Sequence, residues 1–106
     1  MRQQGLLFES RVDRLFADWI ETEDGQIVEA EVVRHALALR ANGWRRWGIA
    51  AIWEVIRYDF ALALKGEAGA WKLNNDFRAP LARRVMQREP ALSGFFETRA
   101  QRGKAA

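Results

Sequence analysis

Between Arg34 and Asp59 the chain reads RHALALRANGWRRWGIAAIWEVIRYD, and one spacing there restricts the fold more than any other feature. Gly43 is followed by isoleucines six and nine positions later, Ile49 and Ile52. A glycine can take the positive φ that stops one helix, and apolar residues at those offsets hold a second helix against the first. This is the spacing of a helix-turn-helix. Trp44 is expected to tuck under the turn. Leu39 stands four residues before Gly43, where an alanine is usual, and requires a wider crossing of the two helices. The same spacing fits a plain αα-hairpin, so it does not establish DNA binding by itself.

The rest of the chain is read around that pair. Phe8, Val12, Leu15, Phe16, Trp19 and Ile20 recur at three- and four-residue intervals, which predicts an amphipathic helix over Leu6–Ile20. The acidic ETEDGQ segment with Gly25 predicts a turn, after which a second helix starts at Ile27 or Val28 and runs to about Asn42. The third helix, Trp47 to Leu64, carries two apolar stripes: Ile49, Ile52, Trp53, Ile56 and Phe60, and Ala51, Val55, Tyr58 and Leu62. Two stripes predict a mostly buried helix, leaving Ala50, Glu54, Arg57 and Ala61 outward. KGEAGA is a break, and AWKLNNDFR follows as an extended or hairpin-like element. Pro80 opens a short helix through Arg88, Pro90 breaks it, and a last helix is expected from Ala91 to Arg102, with a fraying tail at 103–106.

Charge is distributed unevenly. Residues 1–31 carry three arginines against eight acids, a net of −5, whereas residues 32–106 carry fourteen bases against six acids, a net of +8. A basic, arginine-rich region is the footprint of a nucleic-acid binder, because neutralised phosphates release counterions. The acidic first third would be a repelling flank or a partner-docking surface. With no cysteine in 106 residues, disulfides and thiolate metal sites are excluded. His35 is the sole histidine, which argues against a zinc site. The acids Glu21, Glu23, Asp24, Glu29 and Glu31 would suit a magnesium-dependent nuclease only if they converged, and at a helix start they have a simpler role opposite the helix dipole. Ser10 and Ser93 have no base placed by motif, and no phosphate-cradling glycine loop is present. No enzyme, metal or cofactor is therefore expected. Without a long apolar run or a signal-like N-terminus, the reading is a soluble, cytoplasmic protein with no membrane partner.

The candidate nucleic-acid-binding residues fall into two constellations. Arg45, Arg46 and Trp47 lie in the turn before the second helix of the pair, where DNA-backbone contacts are common, and Ala50 and Arg57 continue onto that helix. Arginine beside tryptophan can also stack on bases or pair within the protein. Lys72, Asn74, Asn75 and Arg78, with Arg83 and Arg84 of the next helix, would line a groove if AWKLNNDFR formed a wing. The other explanation is a tight turn at Asn74-Asn75 with solvated arginines around it. Trp19 and Trp53 fall on apolar faces as core residues, while Trp44, Trp47 and Trp71 border breaks, where aromatics anchor interfaces.

The segments GIAAIWEVIRYD, WKLNNDFR, LARRVM and EPALSGFFETR, in that order, resemble a group of small uncharacterised proteins encoded by phages and prophages. Asp76 and Pro80 depart from the pattern of that group. The resemblance covers about half of the chain and implies a phage or mobile-element setting without a catalytic activity.

Together these readings give a mainly α-helical single domain over residues 1–106 with a helix-turn-helix at about 28–64, winged-helix-like if the short β-wing forms. The expected function is binding of double-stranded DNA, chiefly through backbone phosphates, as a small regulator or accessory factor, with a homodimer suiting paired half-sites. The alternative is a phage-encoded interaction module that inhibits or adapts a host protein, such as a defence complex.

Overall fold

Four α-helices make up most of the fold in a computed structural model, which describes residues 2–66 and 72–97. They are α1 (Arg2–Ile20), α2 (Glu23–Ala41), α3 (Ile49–Leu64) and α4 (Arg78–Arg88), with short 3-10 turns at Asn75–Phe77 and Pro90–Leu92. The chain is mainly helical, as its periodicity predicts. Among the described residues there is no β-strand, only a single parallel bridge between Trp47 and Phe96. The expected β-wing is therefore not formed.

Gly25 corrects the first expected turn. It lies inside the first turn of α2 and is buried, because the two helices meet there almost without a gap. A Cβ at Gly25 would sit 2.1 Å from the Trp19 carbonyl oxygen, so only a hydrogen fits between the end of α1 and the start of α2. Thr22 organises the corner: its hydroxyl donates to the Trp19 carbonyl at 2.5 Å and accepts from the Gly25 amide at 3.1 Å. The Gln26 side chain donates to the Ile20 carbonyl at 2.6 Å, satisfying an orphan acceptor at the end of α1. With Glu23 and Asp24 in its first turn, α2 starts four residues earlier than Ile27.

The core is built on α2. Val28, Val32 and Ala36 repeat every four residues along one buried stripe, which faces Ile52, Trp53 and Ile56 of α3 and Leu81, Ala82 and Val85 of α4. Trp19 lies 4.9 Å from Phe77 and 6.4 Å from Trp53 between ring centroids, and Phe16 lies 5.7 Å from Phe77. These aromatics join α1 to α3 and to the 75–77 turn, each close pair contributing about 0.5–1.5 kcal/mol beyond its buried area. The Phe8 side chain lies outside the described residues, and Leu15 of the same stripe is exposed.

Segment 72–77 shows why a wing does not form. Leu73 and Phe77 are both buried while Asn75, which would share their face in a strand, is exposed, so the burial does not follow strand alternation. The Asn74 side chain accepts from the Asp76 amide at 2.8 Å and starts the 3-10 turn. At the other end, Pro90–Leu92 is a single 3-10 turn and Gly94 takes a φ of 74°, so the expected helix from Ala91 is not formed over its described part. Residues 98–102 of that expected helix, Trp71 and the 103–106 tail lie outside the described residues. Leu92, Phe95 and Phe96 are buried, and the Phe96 amide donates to the Met86 sulfur at 3.3 Å. No helix is long and apolar enough to cross a membrane among the described residues.

Candidate nucleic-acid interface

The turn between α2 and α3 has the backbone its sequence requires. Gly43 has a φ of 95°, its amide donates to the Arg40 carbonyl at 3.0 Å, and the Trp44 amide donates to the Leu39 carbonyl at 3.1 Å. That pair of bonds is a Schellman motif, which satisfies the last carbonyls of α2 and reverses the chain. The Trp47 amide then donates to the Phe95 carbonyl at 3.1 Å, so the turn is pinned from beneath by the C-terminal segment. That segment takes the place in which Trp44 was expected to tuck. Trp44 is instead 51% exposed, edge-on to half-buried Trp47 with centroids 4.9 Å apart.

On this pinned turn Arg45 and Arg46 are exposed, and Arg40, in the last turn of α2, joins them. The three guanidiniums and Gly94 line a cleft of about 490 Å³. None of the three arginines makes an ion pair or a side-chain hydrogen bond among the described residues. Three cations around one open cleft attract an anion that can accept several N–H bonds at once, and a phosphate matches the forked guanidinium geometry. Arg40 belongs to this site although it was not among the candidates. Its place three residues before Gly43, in the last helical turn, is the signal that would have included it.

The other candidates occupy different places. Ala50 is exposed at the start of α3. Arg57 is engaged within the fold: it donates to Glu54 at 3.0 and 3.3 Å, to the Leu73 carbonyl at 3.1 Å and to the Asn75 side chain at 2.5 Å. Four of its five donors are committed, so a bidentate grip on guanine would first have to break this clamp. Asn74 and Asn75 serve the 3-10 turn and the clamp, and Arg78 donates to the Asn75 carbonyl at 3.1 Å. Arg84 pairs with Glu29 of α2 at 2.9 Å, both side chains being mostly covered, so it ties α4 to α2. Lys72 and Arg83 are exposed. The clamp lies more than two helical turns, about 12 Å, along α3 from its first residue Ile49, so the two expected constellations do not merge.

The outward face of α3 departs most from expectation. Val55, Tyr58 and Leu62 are 44, 64 and 60% exposed, so the second apolar stripe is uncovered rather than buried. Glu54 is tied to Arg57, and Asp59 is close enough to help push the Arg34 guanidinium up, after the larger effect of its bond to Glu31. This face offers no unengaged arginine or lysine to a DNA groove. Among the described residues no three His, Asp or Glu side chains group as a metal site. No family model, curated protein or solved structure matches the chain.

Proposed function

We propose that this protein binds DNA through the phosphate backbone, acting in the cytoplasm as a small regulator or accessory factor of a phage or mobile element. One observation carries the reading: Arg40, Arg45 and Arg46 surround a cleft on a rigid turn and have no acid among the described residues to neutralise them. The turn is fixed by its Schellman bonds and by Phe95, so little side-chain-bearing backbone must be ordered when a phosphate arrives. The uncovered face of α3 carries apolar and acidic groups, which favours backbone binding over base reading.

The test is anisotropy of a labelled DNA duplex across a salt series. Affinity should fall linearly on a log–log plot, and each arginine removed should flatten the slope by about 0.9. Absence of binding at micromolar protein, or a slope untouched by Arg40→Ala, Arg45→Ala and Arg46→Ala together, would overturn the reading.

The α3 face favours a second reading, a protein-interaction module. Its stripe runs into an apolar groove of about 340 Å³ between α2 and α3, lined by His35, Ala38, Leu39, Trp47, Ala51 and Val55. A host protein held there should stay bound in high salt and be lost on Val55→Lys. Retention of the same protein by that variant sinks this alternative.

A further inference from the structure

The Trp44 side chain is not part of the core, and an indole half in water is unfavourable by itself. Its position is nevertheless fixed: the amide is bonded to Leu39, and the ring stands at 75° to Trp47, which is anchored to Phe95 and bridged to Phe96. The next two residues are the cleft arginines. A half-exposed indole next in sequence to a cluster of cations is the pairing that grips an unpaired nucleotide, with its phosphate in the cleft and its base on the ring.

We propose that the site prefers a DNA strand with unpaired bases, such as a frayed end or bubble, over continuous duplex, with one base stacked on Trp44. This rests on the reading that the arginine cleft binds nucleic-acid phosphates. A continuous double helix hides the faces of its bases, so Trp44 can gain nothing from it beyond contact with sugar and edge atoms. The other surface a duplex would normally engage, the outward side of α3, presents Val55, Tyr58 and Leu62 instead of cations. An unpaired strand uses both parts of the turn, whereas a duplex uses only the arginines.

The experiment measures binding of the full chain, at one fixed salt concentration, to a single-stranded thymidine oligonucleotide, to its duplex, and to an abasic strand of equal length. The thymidine strand should bind about tenfold more tightly than the duplex or the abasic strand. Trp44→Ala should remove that preference and leave duplex binding in place, while Trp44→Tyr should restore most of it. Because Trp44 is exposed, circular dichroism of the variants should match the parent. Equal affinity for strand and duplex, or an unchanged preference in Trp44→Ala, overturns the stacking proposal alone. Absence of binding to all three probes overturns the phosphate-cleft reading, and this inference with it.

Discussion

At Gly25 one hydrogen atom decides how the first two helices meet. The Trp19 carbonyl is backbone, held by the Thr22 hydroxyl, and cannot swing aside as a flexible side chain would. Gly25→Ala, a helix-favouring change elsewhere, should here lower stability by about 1–3 kcal/mol, read as a lower urea midpoint with an unchanged slope. Trp53 poses the opposite problem, since its ring is fully buried while its Nε1–H has no partner among the described residues. Trp53→Phe removes an unsatisfied donor along with some volume, and the two effects offset; Trp53→Ala should cost about 3–5 kcal/mol in the same assay. Glu31 supplies the pH dependence. Hydrogen bonds from Arg34 hold its carboxyl below the usual carboxylate range, against a smaller opposing effect of burial. A depressed folded pKa means that the stabilisation is complete above the unfolded value and is lost as pH falls through the folded one. The stability gap between the parent and Arg34→Ala should therefore be present at neutral pH and shrink as pH falls below the usual carboxylate range.

At the scale of elements, the helix pair α2–α3 and the glycine turn between them were legible because Gly43 takes a φ of 95° and Ile52 is buried in the core with Ile49 packed against it. The β-wing was misread for an equally local reason. Asn74-Asn75 signals a turn of some kind, but Asn75 is exposed between buried Leu73 and Phe77, so strand alternation is broken and Phe77 packs on Phe16 and Trp19. The buried-helix reading of α3 failed for a different cause. Ala51, Val55, Tyr58 and Leu62 have the same periodicity as the core stripe, and periodicity cannot tell which stripe will find a neighbour. Arg57 is the residue whose role changes most as a result. It joins α3 to the 72–75 segment through the Leu73 carbonyl and the Asn75 side chain. Arg57→Ala should lower the thermal midpoint by several degrees while leaving DNA affinity at fixed salt within about twofold of the parent. A large loss of affinity without loss of stability would return Arg57 to the binding surface.

Across the whole molecule, the acidic first third and the basic remainder meet inside the fold rather than at two separate poles. Glu29 of α2 receives Arg84 of α4, so part of the charge asymmetry visible in the sequence is used for packing. The two proposed functions divide between the arginine turn and the uncovered side of α3. These surfaces answer to different physics, one weakened by salt and the other not. On the proposed phosphate-binding reading, Arg45→Ala with Arg46→Ala should weaken DNA binding on every sequence and leave the apolar face intact. Tyr58→Lys with Leu62→Lys should do the reverse: the substitutions lie in solvent, so stability should stay within about 0.5 kcal/mol, and the added cations should raise DNA affinity slightly at low salt. Ile56→Lys, on the opposite side of the same helix, should unfold the chain because its site is 1% exposed. Urea unfolding and anisotropy on the same three variants separate the roles. If Tyr58→Lys with Leu62→Lys abolished DNA binding without unfolding the chain, α3 would be entering a groove after all, and the division between the two faces would be wrong.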